Sequence, residues 1–318
     1  MAPNTLAAYE HFVSKLINEF GRRLICDISE QDIADLQRAR VREGKSARTV
    51  NFEINTLRQI LKKHGLWNAL IGHVTHMRER KDVGKAIATE DEQKLIEAAK
   101  RSRSPALLPL FVLSLDSGLR ANEIRVLRHW DLALRWRDGA IESGILTVPK
   151  SKTEAGTGRT VPLAKRSCRF LTLWLSRFPS AKPDSYVFLR YSAGLAGNAK
   201  RALFHNVDLS RPIGAWKKAW KIACESAGVR YRWHDCRHTF ITRLAENPNV
   251  SEETIRALAG HVSKRMLERY SHIRLAAKEA AIADLERPAS TLTTPELTRS
   301  ADVLDHSPGA LTVARRDR

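Results

Sequence analysis

The chain has 318 residues, 43% of them apolar and 28% charged, a length and balance that suit two soluble globular domains and exclude a largely disordered polymer. The longest apolar run, Ala106 to Leu115, is broken by Pro109 and Ser114 and is too short to cross a bilayer. The N-terminus lacks the basic-then-apolar order of a secretory signal, so a cytoplasmic location is expected. A net charge of +19 favours polyanions, nucleic acid first. Because residues 286–318 carry equal numbers of acidic and basic side chains, the surplus lies before residue 286 and suits a surface that tracks a phosphate backbone.

Cys26, Cys168, Cys224 and Cys236 are scattered without a C-x-x-C pair, which reads as reduced thiols rather than a zinc knuckle or a disulfide scaffold. His73-x-x-His76 and the other histidines have no partner set at ligand spacing, so no metal or other cofactor is expected.

From Thr5 to about Met77 the pattern is helical. Leu6, Tyr9, Phe12, Val13, Leu16 and Ile17 mark one amphipathic face that Gly21 ends. Ser29 with Asp32 three residues later predicts a capped second helix, and Val50, Ile54, Leu57, Ile60 and Leu61 form the stripe of a third. The expectation is an all-helical domain of four or five short helices over residues 1–78, followed by a polar, basic linker over 79–86. Thr89 reads as the N-cap of the next helix, with acidic residues in its first turn and Leu95, Ile96 and Ala99 on its inner face. A more buried helix spans Leu107 to Ser117.

The convincing β signal is a hairpin of Gly144 to Pro149 and Arg159 to Leu163, with Lys152 at the start of its loop. Asp131 to Trp136 is a candidate third strand. Beyond it the chain reads as helical again: Ser210-Arg211-Pro212 as a helix start, with Trp216, Ala219, Trp220 and Ala223 on one face as core. Ala276 to Leu285 is a last amphipathic helix, and past Pro288 the tail is loosely ordered, with Pro295 to Leu304 able to form a short helix. The fold class is therefore mainly α with a small antiparallel β-sheet.

Chemistry concentrates between Trp233 and Ile273. On a helix, His234, Arg237 and His238 fall at i, i+3 and i+4, so one face presents imidazole and guanidinium to a phosphodiester. Taken alone, helix histidines usually satisfy local hydrogen bonds, and Arg120 with Glu123 at i, i+3 would be an ordinary surface ion pair. His238, His272, Cys236 and Met266 are assigned no chemistry.

The whole set, however, has an order: Gly118-x-Arg120-x-x-Glu123-Ile124, then Ser151-Lys152-Thr153 leading to Arg159-Thr160-Val161-Pro162-Leu163, then His234-x-x-Arg237-His238, Gly260-His261 and Tyr270-Ser271-His272. This order resembles the tyrosine recombinase family, the phage integrases and related site-specific recombinases, over roughly the whole chain to residue 285. Small departures are Ser117 where threonine is common, Cys236 where leucine is common, and Ala259 where leucine often precedes the glycine. The resemblance implies an N-terminal helical core-binding domain (1–78), a mixed α/β catalytic domain (87–285) and a C-terminal tail (286–318).

It further implies Arg120, Lys152, His234, Arg237, His261 and Tyr270 as catalytic residues, with Glu123 supporting Arg120. Attack by tyrosine on a phosphodiester builds negative charge that two guanidiniums can bind bidentately without metal. Tyr270 would be the nucleophile, His234 the base, Lys152 the general acid for the 5'-oxygen, and His261 a phosphate hydrogen bonder. The 3'-phosphotyrosine keeps its bond energy, so no nucleotide triphosphate loop is needed, and none of the G-x-x-x-x-G-K-[ST] form occurs. The implied partner is double-stranded DNA, with self-association on it as a tetramer. The alternatives are a non-catalytic DNA-binding regulator of the same fold and a type IB topoisomerase, and the short N-terminal domain favours simple core-site recombination without an arm-binding domain.

Overall fold

The computed structural model describes residues 3–79, 84–151, 156–194, 203–260, 262, 279 and 282–283. Two compact units divide the chain, Met1–Val83 and Gly84–Arg318. Lys152, His261 and Tyr270 lie outside the described residues, as do most of the expected Ala276–Leu285 helix, His272, Met266 and the tail segment Pro295–Leu304.

The first unit holds three α-helices among the described residues, α1 (Pro3–Phe20), α2 (Glu30–Arg42) and α3 (Ala47–Lys63), with one-turn 3-10 segments at Ile25–Asp27 and Trp67–Leu70. Ser29 caps α2 as its spacing predicts, in a full capping box with Asp32. Leu16, Phe20, Ile33, Leu36, Val50, Ile54, Leu57 and Leu61 form the core between the helices. The expected fourth and fifth helices are absent from this stretch. Past the 3-10 turn, side chains of α2 and α3 satisfy the backbone: Asn51 takes Met77 N–H on Oδ1 and donates Nδ2 to Met77 O, both at 2.8 Å, and Gln37 Nε2 donates to Thr75 O at 2.9 Å. These bonds tie Thr75 to α2 and Met77 to α3. Arg40 on α2 is buried against Glu53 on α3 at 2.9 Å.

The second unit begins with α4 (Thr89–Lys100) and α5 (Leu107–Ser117). Thr89 is the first helical residue of α4 rather than its cap. Ala88 stands at the cap position without a side-chain bond, and Asp91 instead accepts from Tyr231 Oη at 2.9 Å. Helix α5 is buried nearly all round, with Leu107, Leu110, Phe111, Leu113 and Leu115 in one large core that also takes Trp174, Phe188, Trp216 and Trp220. Truncating a side chain such as Phe111 in such a core costs ~3–5 kcal/mol. A five-residue helix α6 (Ala121–Arg125) follows, then a three-stranded antiparallel sheet in the order β1 (Leu132–Arg137), β2 (Ala140–Thr147), β3 (Thr160–Pro162). Asp138 and Gly139, at φ 50° and 75°, make the two-residue turn between β1 and β2. Leu146 pairs with Leu132 on one side and Val161 on the other.

After α7 (Lys165–Leu175) the chain is not helical again at once. It forms a second antiparallel pair, β4 (Leu189–Gly194) with β5 (Leu203–Pro212). Ser210-Arg211-Pro212 therefore ends a strand instead of starting a helix. The reason is packing: Phe204 on β5 stacks edge-on with Tyr191, Phe178 and Trp174, and Ile213 N–H bonds Phe188 O at 2.8 Å. Helix α8 (Lys217–Ser226) starts later, and Trp216 and Trp220 are core residues as the spacing predicts. The described chain closes with α9 (Asp235–Ala245) and α10 (Glu252–Ala259), so the architecture is mostly helical with small antiparallel sheets.

Candidate active site

Helix α5 ends because Gly118 adopts a left-handed conformation, φ 61°, where a Cβ would lie 2.3 Å from the Phe240 ring. No other residue type allows this turn together with this approach of α9. The turn delivers Arg120 to the start of α6. There Glu123 Oε2 accepts the Arg120 backbone N–H at 2.9 Å, and Glu123 Oε1 accepts Nη1 of the same arginine at 2.8 Å. This is not the surface pair that spacing alone describes, since the Glu123 side chain is only 2% exposed.

Two further segments close on the same carboxylate. Ser151, immediately before Lys152, donates Oγ to Glu123 Oε1 at 2.6 Å and accepts Arg120 Nη1 at 3.2 Å. Arg159, where the chain returns toward β3, donates Nη2 to Glu123 Oε2 at 2.7 Å and Nη1 to Oε1 at 3.3 Å. Burial by itself pushes the Glu123 carboxyl up. The donors Arg159, Ser151 and Arg120 N–H outweigh it and hold the group down at about 2, an anion at any physiological pH.

Arg237 comes from the first turns of α9 and is buried. It donates Nη1 to Gly118 O at 2.8 Å and Nη2 to Ala259 O, so it bridges the end of α5 and the end of α10. Burial, then the charges of Arg120 and Arg159, push its guanidinium down to about 9. It stays protonated at neutral pH, but in a field that an anion would relieve.

His234 is the N-cap residue of α9, and its ring meets that of His238 edge-on at 5.0 Å. The protein packed around the ring, then His238, Arg237 and Arg120, push the imidazole down to about 4. Those neighbours are the part that a bound phosphate would offset. At neutral pH the ring is uncharged and able to accept a proton. Cys236, beside it in sequence, is buried and its thiol is pushed well up by burial, so it has no place in this chemistry.

Gly260 sits at φ 72°, ψ −142°, a region open essentially to glycine alone, and its missing Cβ would lie 3.2 Å from Gly156 Cα. The residue before His261 is thereby set against the loop that carries Lys152. Of the expected site residues, the structure brings together Arg120, Glu123, His234 and Arg237. Arg159 belongs to the same cluster, although the sequence reading places it only at the start of a hairpin strand and gives it no role in the site. Its signal was a charged residue placed at the edge of an apolar β run.

Residues 85–276 match the phage integrase family, and the chain belongs to that family. Among curated relatives, the shufflon-specific DNA recombinase of Escherichia coli is 28% identical over 187 residues, 58% of this chain and 40% of that protein. The chain thus spans less than half the length of that relative. Tyrosine recombinase XerA of Thermococcus onnurineus is 23% identical over 89% of this chain and 91% of its own length. Tyrosine recombinase XerC of Xanthomonas campestris is 24% identical over 86% and 80%. Among solved structures, the Tn1549 transposon integrase in complex with circular intermediate DNA superposes with a TM-score of 0.64 at 16% identity, covering 90% of this chain and 94% of that one. A lambda integrase dimer bound to a core site gives 0.57 at 18% identity, covering 85% and 72%. These likenesses establish the fold.

Proposed function

We propose that the chain is a site-specific DNA recombinase of the tyrosine type, which cuts and rejoins strands of duplex DNA through a 3'-phosphotyrosine. The observation that carries this reading is the guanidinium pair: Arg120 and Arg237 arrive from segments more than a hundred residues apart, Arg120 held by the buried Glu123 carboxylate and Arg237 by the carbonyls of Gly118 and Ala259, close enough that the charge of Arg120 depresses the Arg237 guanidinium. Paired, pre-positioned guanidiniums are what the extra negative charge of a phosphorane needs, and fixing them beforehand removes the cost of reorganising them during reaction. His234, held neutral, takes the phenolic proton as Tyr270 attacks. Lys152 protonates the departing 5'-oxygen, and His261 hydrogen-bonds a non-bridging oxygen. In the reverse direction a 5'-hydroxyl from another strand attacks the phosphotyrosine, and the roles of acid and base exchange.

The family membership and the full-length similarity to XerA and XerC support the reaction class. The domain plan is a helical core-binding domain over 1–78 and a catalytic domain over 87–285, assembling as a tetramer on DNA. A lambda integrase tetramer bound to a Holliday junction, at TM-score 0.56, supports that assembly. A cytoplasmic location fits, and no described helix is long and apolar enough to cross a membrane.

The test is incubation with a nicked suicide duplex carrying a core site selected from a random pool, followed by denaturing electrophoresis. Wild type forms a covalent protein–DNA adduct and Tyr270→Phe forms none while still binding. Binding without an adduct in wild type would leave the DNA-binding regulator in its place. Adduct formation by Tyr270→Phe would remove the nucleophile assignment.

A further inference from the structure

Arg159 makes more of the site's internal bonds than its position in sequence suggests. Its side chain is 4% exposed, and its three nitrogens together reach three different segments. Nη2 and Nη1 grip both oxygens of Glu123, Nη1 also donates to Gly156 O at 2.7 Å, and Nε donates to Leu258 O at 3.1 Å. Glu123 belongs to α6 beside Arg120, Gly156 to the β2–β3 loop, and Leu258 to the last turn of α10. A planar fork with five fixed donors can hold three such partners at once, whereas a lysine ammonium holds them less rigidly.

The grip on Glu123 has a second effect. A buried carboxylate with only Arg120 as a cationic partner would draw that guanidinium into a closed bidentate pair, in competition with any phosphate. Arg159 supplies a competing bidentate partner, and Arg120 meets Glu123 Oε1 through Nη1 alongside Ser151. Gly260 packs over the same place, its would-be Cβ 3.5 Å from Arg159 Cδ.

Resting on the recombinase reading above, we propose that Arg159 is a positioning residue. By occupying Glu123 and tying Gly156 and Leu258 to it, Arg159 keeps Arg120 directed at the scissile phosphate instead of closed onto its own carboxylate. It does not touch the reacting atoms. Its contribution therefore scales with how much charge the Arg120 guanidinium must neutralise, and this separates positioning from support of the fold alone.

The experiment compares wild type, Arg159→Lys and Arg159→Met in single-turnover adduct formation on two nicked duplexes. One has the native phosphodiester at the cleavage position, and the other a methylphosphonate there. The methylphosphonate is neutral, so its transition state carries one negative charge fewer and makes less demand on Arg120. Thermal melting and a mobility-shift titration accompany each protein. Arg159→Lys keeps a cation beside Glu123 and is the variant that decides the question where Arg159→Met fails to fold.

The expected result for Arg159→Lys is DNA affinity like wild type, a loss on the order of 100-fold on the phosphodiester, and a much smaller loss on the methylphosphonate. Equal losses on the two substrates, including complete loss on both, would reduce Arg159 to a purely structural residue and overturn the proposal. So would wild-type rates in both variants. Absence of an adduct with wild type on both duplexes is a different failure: it removes the recombinase reading and this inference with it.

Discussion

Replacing Glu123 with glutamine changes one charge at the centre of the cluster with almost no change of shape. The size of the effect follows from the carboxyl's environment. Its pKa falls from the ordinary 4.5 to about 2, and at about 1.4 kcal/mol per unit the folded state gains roughly 3 kcal/mol from keeping it ionised. The group is 2% exposed, so solvent screening takes little from that figure. An independent route gives the same size: leaving a buried guanidinium without its carboxylate costs about 3–5 kcal/mol, and Arg159 would be left in that state.

The sign with pH is fixed by the direction of the shift. A depressed carboxylate pKa contributes stability that is fully present above the unfolded value of 4.5 and is lost as pH falls toward the folded value of about 2. Wild type and Glu123→Gln should therefore differ by about 3 kcal/mol at pH 7, with about 2 kcal/mol of that difference gone by pH 3. Urea unfolding followed by tryptophan fluorescence is a suitable assay, because every tryptophan except Trp67 lies in the unit that holds Glu123. Titration of other carboxylates cancels in the difference between the two proteins. A gap below about 1 kcal/mol at pH 7, or one that does not shrink on acidification, would refute the account of Glu123 as a buried anion sustained by Arg159, Ser151 and Arg120.

Since the His234 imidazole is held down at about 4 from its ordinary 6.5, the second-order rate of adduct formation should stay level as pH falls from 8 to 6 and decline only on approach to about 4. An inflection near 6.5 that disappears in His234→Gln would contradict this. Lys152→Ala should bind DNA normally yet cleave slowly, with a 5'-thiolate leaving group restoring the rate because a thiolate leaves without protonation; an unrescued variant removes the general-acid role. Gly260→Ala places a Cβ at φ 72°, ψ −142° and 3.2 Å from Gly156 Cα, so a loss of about 1–3 kcal/mol in thermal unfolding is expected. A melting temperature equal to wild type would mean that this stretch relaxes at no cost.

The fold was legible where local signals and tertiary demands agree. The Ser29-x-x-Asp32 box, the α3 stripe, the largely apolar α5 and the two short runs of the β2–β3 hairpin each carry their signal within one short window of sequence. It was not legible where distant side chains decide. The stretch past Gly65 forms only one 3-10 turn, and beyond it Thr75 and Met77 are bonded by the side chains of Gln37 and Asn51 rather than by a helix of their own. The β4–β5 pair forms because Phe204 completes an aromatic cluster seeded by Trp174 on α7, a contact that no window of adjacent sequence displays. Thr89 resembles a cap but is the first helical residue, because the carboxylates of α4's first turn are claimed by Tyr231, Arg166 and Arg243.

The site divides along a similar line. Arg120, His234 and Arg237, which the proposed function sets at the phosphate, were recognisable because that chemistry requires particular side chains, and their spacing survives as motif. Arg159 escaped because its function lies in what it ties together: a carboxylate 36 positions earlier, a carbonyl three positions earlier and a carbonyl 99 positions later. A residue whose partners are mostly backbone atoms leaves no chemical signature, since any side chain can precede or follow a carbonyl. The same holds for Gly118 and Gly260, where the requirement is the absence of a Cβ beside Phe240 and Gly156. Groups proposed to meet the phosphate are thus read from residue type. Groups that hold those in place are read only from geometry, and here their dense bonding around Glu123 is what gathers residues from dispersed segments into one pre-positioned cluster.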